Sequence, residues 1–173
     1  MLAVELYLDS GSEQRVRSLW AELHERGVVS LGAAPDAEYR PHVSLAVFTD
    51  TELSTLIAAL TPVLAASEGL ALTLASLGFF PGLDSVAFLG VVPTARLLDT
   101  HQRVHTALAE LSAASWPIYE PGNFVPHCTL ALNAGDGVAV RAAVASARLP
   151  ILATANEAHV VEISSGRSWA RLA

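Results

Sequence analysis

The sequence predicts an α+β fold, a bilobal pseudo-twofold repeat of antiparallel sheets with outer helices and a central cleft. Three observations predict it. Strand and helix periodicities alternate along the 173 residues, the order strand–helix–strand–helix–strand occurs twice, and the two series register at an offset of 85 positions. No Gly/Ser-rich linker separates the two series. We therefore expect a single domain over residues 1–173, made of two interleaved lobes.

The first series opens with a strand, because residues 3–8 alternate between two faces. Asp9 and the serines after it can cap a helix whose apolar stripe runs through 16–23 and which Gly27 ends. The remaining predicted elements are a loop with Gly32 and Pro35, a strand at 41–48, a helix capped within 49–51 and disturbed at Pro62, and a hairpin of strands at 70–80 and 85–92 with its turn at 81–84.

The second series repeats this order. Pro93 and Thr94 open a helix with apolar positions from Leu97 to Leu111. A long loop at 116–123 then leads to the later elements. These are a strand at 124–132, an alanine-rich helix at about 136–147 and a final extended segment at 151–164.

Two short motifs anchor the repeat. At the 85-residue offset, Pro41, His42, Leu45 and Ala46 fall on Pro126, His127, Leu130 and Ala131, and Ser44 falls on Thr129. Side chains two residues apart on a strand share a face. His42 and Ser44 should therefore face the cleft, and so should His127 and Thr129. The intervening aliphatic residues, which include Val47 and Leu132, are expected on the core face.

Two imidazoles and two hydroxyls that meet across a pseudo-twofold axis suit phosphodiester cleavage at a ribose. One neutral imidazole removes a proton from the attacking oxygen, and the other, protonated, donates to the leaving oxygen. Ser44 and Thr129 can donate hydrogen bonds to the non-bridging phosphate oxygens. This chemistry needs neither a metal nor another cofactor, and we predict none.

The segments PHVSLAVF (41–48) and PHCTLAL (126–132) resemble the paired His-x-Ser/Thr (HxT) motifs of the 2H phosphoesterase superfamily, in particular its 2′-5′ RNA ligase-like (LigT-like) members. Segments 79–91 and 160–167 are similar to the middle hairpin and last strand of that family. The resemblance implies a LigT-like fold and metal-independent hydrolysis or formation of phosphodiesters at the ribose 2′ position. It also implies that His42 and His127 are the catalytic pair and that Ser44 and Thr129 bind phosphate.

The chain departs from this family at two places. Ser44 stands where threonine is frequent, which keeps the hydroxyl donor. Ligase-like members often carry an arginine soon after the second motif, where this chain reads LALN at 130–133. The missing cation argues against the processing of long RNA more than against the basic chemistry.

Further candidates for substrate binding lie near the motifs. Tyr39 and Arg40 precede His42 and would stack a base or contact phosphate, or else form a solvated loop. Phe48 is in phase with His42 and would form a base platform, unless it is a core aromatic. Arg167 follows the last strand and is a candidate phosphate contact.

Other reactive residue types receive structural interpretations. His101 and His105 have the spacing of a metal-binding pair, but the offset places them in a packing stripe. Cys128 points away from His127 by strand alternation and is expected to be a buried, inert thiol. Tyr119 and Asn123 lie in the loop before the second motif, where contacts with ligand are common but not specific.

Composition limits the partners. Ten arginines and no lysine against 17 acidic residues give a net charge of −7, which disfavours a long nucleic-acid groove. We expect a small nucleotide or RNA-end substrate. A single cysteine, no signal peptide and no long apolar run predict a cytoplasmic monomer without membrane contact. RNA ligation, a non-catalytic nucleotide-binding module and a metal-dependent hydrolase are the alternatives.

Overall fold

The computed structural model describes residues 1–33, 38–49, 51–82 and 85–173, and the helices and strands follow the predicted order. The strands are β1 (Leu2–Leu8), β2 (His42–Phe48), β3 (Leu70–Phe80), β4 (Val86–Val91), β5 (His127–Ala131), β6 (Ile151–Glu162) and β7 (Ser168–Arg171). The α-helices are α1 (Ser10–Glu25), α2 (Leu53–Ala65), α3 (Ala95–Glu110) and α4 (Val138–Ser146). Short 3₁₀ turns occur at Leu31–Ala33 and Pro117–Tyr119. Pro35, Asp50 and the turn residues 83–84 lie outside the described ranges.

Side-chain caps define where the two longest helices begin. The Asp9 carboxylate accepts a hydrogen bond from the Ser12 backbone N–H at 3.0 Å, and the Thr94 hydroxyl accepts one from the Leu97 N–H at 3.3 Å. Both caps satisfy backbone donors that have no partner inside the helix. The predictions for the starts of α1 and α3 are confirmed.

The start of α2 differs from the prediction. Its cap is Glu52, not a residue within 49–51, and the carboxylate accepts hydrogen bonds from the backbone N–H groups of Ser54 and Thr55. Hydrogen bonds from Thr55 and Ser54 lower the pKa of Glu52 to about 2. Pro62 lies inside the helix, which continues to Ala65. Burial of the flanking leucines on the core side offsets the lost backbone hydrogen bond.

All strand pairings are antiparallel, and the order in the sheet is β2-β1-β6-β3-β4-β5, with β7 paired to the outer part of β6. Each strand of one half has its counterpart at the same distance from the centre, so β2 matches β5 and β1 matches β4. The strands β3 and β6 are swapped between the halves, since β6 pairs with β1 and β3 pairs with β4. The pairing of β3 with β6 joins the two halves into one sheet of seven strands. The predicted α+β class is confirmed, although the two predicted sheets are continuous. The sequence pattern did not reveal β7, a four-residue strand that follows a turn through Gly166.

The helices cover the sheet in two pairs that follow the same symmetry. α1 packs against α4, and α2 packs against α3, so each pair takes one helix from each half of the chain. Their buried stripes meet the aliphatic side chains of the sheet in a single core. The two outermost strands, β2 and β5, lie next to one another without ladder hydrogen bonds, which brings the two motifs together. None of the described helices is long and apolar enough to cross a bilayer.

Candidate active site

The two motif strands carry β-bulges at matched positions. Where β1 pairs with β2, Val4 faces Ala46 but Glu5 faces Ser44, so Leu45 has no opposite residue. The pairing of β4 with β5 skips Leu130 in the same way. A bulge shifts the alternation of a strand by one residue and so re-aims the side chains after it.

The bulges correct three sequence-based expectations. Val47 and Leu132, predicted on the core face, both line the cleft with the motif residues. Phe48, predicted to share the face of His42 and Ser44 as a possible base platform, is completely buried in the core. The physical reason is the extra residue at Leu45, which interrupts the alternation of faces along β2. Strict alternation would turn the fourth residue after Ser44, Phe48, towards the cleft, but with the bulge the third residue, Val47, faces it.

The structure brings both imidazoles and both hydroxyls into one cavity of about 300 Å³. Its lining comes from both halves and consists of Glu5, Leu31, Tyr39, His42, Ser44, Val47, Phe80, Val86, Trp116, Ile118, Tyr119, His127, Thr129, Leu132 and Ile163. A larger depression of about 760 Å³ lies beside α3, but neither motif contributes to it. The cavity between β2 and β5 is therefore the candidate site.

Both cleft histidines are held in the same way. His42 Nδ1 lies 2.7 Å from the carbonyl oxygen of Arg40, and His127 Nδ1 lies 2.7 Å from that of Val125. A carbonyl can only accept, so each Nδ1 carries a hydrogen and donates it. Nε2 is then the nitrogen left to exchange protons in each ring.

The surroundings of the two rings differ. His42 Nε2 lies 3.4 Å from the Oε1 atom of Glu5. The ring of His127 instead packs against Phe80 and Phe88, with centroids 4.9 and 5.2 Å away. Burial lowers the pKa of His127, and the nearby His42 lowers it further. A neutral imidazole is therefore favoured at position 127.

The hydroxyl of Tyr119 is hydrogen-bonded to Ser44, and burial raises its pKa to about 12. It therefore stays protonated and fixes the Ser44 side chain at the cavity wall. Tyr119 was only a weak candidate in the sequence, because nothing in a loop pattern predicts which residue folds back over a strand. Trp116 and Ile118, which the sequence did not single out, line the cavity from the same loop.

Glu5 is a further cavity residue that the sequence did not single out. It lies on β1 directly opposite Ser44 and is 5% exposed. The sequence feature that could have identified it is a single carboxylate in an otherwise uncharged strand. A buried acidic residue needs a partner, so such a carboxylate indicates a specific contact. Here the partners are His42 and the hydroxyl of Tyr7.

The remaining candidates occupy different places. Tyr39 lines the cavity and donates its hydroxyl hydrogen to the Ile163 carbonyl at 2.8 Å. The guanidinium of Arg40 pairs with Glu13 and Glu157 and lies 4.2 Å from the Tyr7 ring centre, so it is not part of the lining. Arg167 is exposed and also lies outside the lining. Neither arginine lines the cavity, and the phosphate contacts expected of them stay predictions.

Two other reactive groups behave as structural elements. Cys128 is fully buried, and burial raises the pKa of its thiol to about 12, as expected for an inert cysteine. His101 and His105 pack within the core, each with a backbone carbonyl as partner. Within the described ranges, no three His, Cys, Asp or Glu side chains are grouped so that they could hold a metal ion.

The comparison with protein families identifies the chain. The model of the 2′-5′ RNA ligase superfamily matches residues 12–167. The chain belongs to the 2′-5′ RNA ligase superfamily. The resemblance to 2H phosphoesterases seen in the motifs is thereby confirmed.

Solved structures share the fold of this superfamily member. LigT of E. coli, in its apo form, is 17% identical with a TM-score of 0.62, and the match covers 99% of this chain and 94% of LigT. The PDE domain of MHV ns2 is 17% identical with a TM-score of 0.54 and 88% of each chain covered. A structure described as a phosphoesterase is 18% identical with a TM-score of 0.54, covering 98% of this chain and 95% of the other. At these identities the likeness establishes the LigT-like fold alone. No curated protein sequence matches significantly.

Proposed function

We propose that this chain is a metal-independent phosphoesterase that cleaves 2′,3′-cyclic or 2′-5′-linked ribonucleotide phosphodiesters by acid–base catalysis with His42 and His127. One observation carries the proposal. Both imidazoles line one cavity, and in both the Nδ1 hydrogen is donated to a carbonyl two residues earlier, which leaves Nε2 for chemistry.

The reaction proceeds by in-line attack on phosphorus. One neutral imidazole takes a proton from water as the water oxygen forms its bond to phosphorus. The bond from phosphorus to the ribose oxygen breaks, and the protonated imidazole gives its proton to that oxygen. The products are a phosphomonoester and a ribose hydroxyl, and one water molecule is consumed.

The two hydroxyls stabilise charge on the phosphate. Ser44 on β2 and Thr129 on β5 both line the cavity, each two residues beyond its histidine. Each can donate a hydrogen bond to a non-bridging oxygen, where negative charge increases in the transition state. Tyr119 supports this role through its hydrogen bond with Ser44.

The lining favours a small substrate with one phosphate. No arginine lines the cavity, and the residues outside the described ranges (34–37, 50 and 83–84) contain no basic residue. The side chains of Trp116, Ile118 and Leu132 offer apolar surface to a base and ribose. A long RNA would need several cationic contacts that such a cavity does not offer.

Hydrolysis is favoured over ligation by the same charge argument. The net charge of −7 gives little means to hold two RNA ends together, whereas water is abundant. We also propose that the protein acts as a cytoplasmic monomer on a nucleotide or RNA end. Its single buried cysteine is compatible with a reducing compartment.

The test is turnover of 2′,3′-cyclic nucleotides and 2′-5′-linked dinucleotides in EDTA. The wild type should be active, and H42A and H127A should lose activity. H24A is the matched control, because His24 is exposed on α1 and lies outside the cavity. Turnover that survives both cleft substitutions contradicts the proposal.

Further measurements separate the alternatives. Binding by calorimetry without product indicates a nucleotide-binding module. Activity that disappears in EDTA and returns with a divalent cation indicates a metal-dependent hydrolase. Joining of RNA ends into a 2′-5′ linkage indicates a ligase.

A further inference from the structure

The two halves of the active site are not chemically equivalent. Of the described residues that line the cleft, Glu5 alone is acidic. It lies on β1 opposite Ser44. The residue in the matching place on β4, opposite Thr129, is Phe88. One imidazole therefore has a carboxylate as its neighbour, and the other has a phenyl ring at 5.2 Å.

The Glu5 carboxylate is held in place by β1 and β2 together. Its Oε1 atom lies 3.4 Å from His42 Nε2, and the Tyr7 hydroxyl donates a hydrogen bond to the carboxylate. Tyr7 is itself buried and lies under the guanidinium of Arg40, which is paired with two other carboxylates. Because Glu5 is almost fully buried, water cannot replace His42 as the partner of its carboxylate unless the fold changes.

We propose that Glu5 is a positioning residue that shares one proton with His42, so that His42 acts as the acid and His127 as the base. This inference rests on the proposed function and deepens it. It assigns the direction of proton transfer, which the pseudo-twofold symmetry of the motifs leaves open.

The physical reason is the cost of net charge in a buried site. Burial raises the pKa of Glu5, while the nearby His42 and the Tyr7 hydrogen bond act in the opposite direction. A single proton on the pair leaves it with no net charge, whichever of the two groups carries it. Among the residues that the structure describes, no carboxylate pairs with His127, and burial lowers its pKa. Besides His42 and Tyr7, the described titratable groups near Glu5 are Tyr39, which also lines the cavity, Tyr119 in the loop and Cys128 on β5.

The proton transfers follow from this assignment. His127 Nε2 removes a proton from the attacking water, whose oxygen forms the new bond to phosphorus. His42 gives its Nε2 hydrogen to the ribose oxygen as the old bond to phosphorus breaks, and Glu5 stabilises His42 in its charged form before the transfer. After product release, His127 loses its proton to solvent and the Glu5–His42 pair regains one.

The experiment compares the pH profiles of kcat/KM for the wild type and E5Q on a 2′,3′-cyclic nucleotide. Glutamine keeps the size of the side chain and an oxygen that accepts from Tyr7, but it removes the negative charge. The alkaline limb of the profile reports loss of the acid's proton. It should move to lower pH by about one unit, which lowers kcat/KM about tenfold on that limb. The acidic limb, which reports His127, should move much less.

E22Q is the matched control. It also removes one carboxylate, but Glu22 pairs with Arg26 on the surface of α1 and should leave both limbs unchanged. E5Q should melt close to the wild type, because glutamine fills the same volume and keeps an oxygen that accepts from Tyr7. A profile that only scales down, without a shift of the alkaline limb, overturns the proposal, and so does a shift of the acidic limb alone.

Histidine ring NMR signals followed against pH give a readout that does not need turnover. In E5Q, the ring of residue 42 should lose its proton at lower pH than in the wild type, and the ring of residue 127 should change less. Identical titrations of residue 42 in the two proteins overturn the role of Glu5. A wild type that hydrolyses no diester overturns the proposed function instead, so the two failures are distinguishable.

Discussion

Two pairs of histidines in this protein donate hydrogen bonds to backbone carbonyls from different ring nitrogens. On α3, His101 Nε2 donates to the Tyr119 carbonyl at 2.7 Å, and His105 Nε2 donates to the Leu45 carbonyl at 3.2 Å. In the cleft, His42 and His127 donate from Nδ1 and keep Nε2 for the cavity. The α3 pair is packed, with His101 stacked on Phe124 at 3.9 Å, whereas the cleft pair borders open space.

The difference indicates two roles: the α3 histidines hold parts of the backbone in place, and the cleft histidines line the cavity. Leu45 is the bulge residue of β2, so His105 satisfies a carbonyl at the irregularity that aims the cleft residues. His101 fixes the loop that places Tyr119 against Ser44. The α3 pair therefore supports the cavity in which we propose that the cleft pair reacts. Substitutions in the two pairs should affect different measurements.

The largest effect is expected for alanine at either cleft histidine. H42A and H127A should each lower kcat/KM by about 10³-fold, because an acid or base contributes about 10²–10⁴-fold. H127A should melt close to the wild type, whereas H42A should melt at a lower temperature because it leaves the buried Glu5 carboxylate without its histidine partner. Steady-state kinetics in EDTA, together with thermal unfolding, checks both parts. An H127A protein that melts far below the wild type would indicate that this ring is structural.

The hydroxyls should give the next largest effect. S44A and T129V should each lower kcat by about 10²-fold, since removal of one donor to a developing negative charge costs this much. KM should change less than kcat. S54A, a serine at the start of α2, is the control outside the cavity. A loss confined to KM would mean that the hydroxyls bind the substrate without stabilising the transition state.

On α3 the expected loss is one of stability. H105A should lower the free energy of unfolding by about 2 kcal/mol, since it leaves a cavity and removes the partner of the Leu45 carbonyl. Urea denaturation measures this directly. The alkaline limb of the pH profile should not move. An H105A protein as stable as the wild type would contradict the structural role of the α3 pair.

A smaller effect should appear in the pH dependence of stability. Burial lowers the pKa of His101 from 6.5 to about 4. Below pH 6.5 the unfolded chain binds a proton at this residue more readily than the folded chain, so stability is lost as the pH falls towards 4. After allowance for solvent screening, the loss due to His101 is about 1–2 kcal/mol. H101Q should flatten this part of the curve, as measured by unfolding at pH 7 and pH 4.5. An unchanged slope would contradict this origin of the acid sensitivity.

The sequence predicted the elements whose causes are local or repeated. Two matched His-x-Ser/Thr segments and an 85-residue offset were sufficient for the strand and helix order and for the convergence of both motifs. Asp9 and Thr94 were identifiable as caps because capping needs only a side chain and its neighbours.

The remainder depends on which strands pair. A bulge at Leu45 exists only in relation to β1, so alternation alone placed Val47 and Phe48 on the wrong faces. The proximity of Glu5 to His42 likewise follows from the register of β1 and β2. The contacts of Arg40 with Glu13 and Glu157 join residues far apart in the chain, and no short pattern predicts them.

A kinetic double-mutant cycle tests most directly whether both imidazoles act on one phosphorus atom. The measurement is kcat/KM in EDTA for the wild type, H42A, H127A and the double variant, with a 2′,3′-cyclic nucleotide as substrate. Groups that act as one unit are strongly non-additive. We expect each single variant to be almost as inactive as the double variant. Losses that multiply, or a single variant with activity near the wild type, would contradict a shared reaction centre.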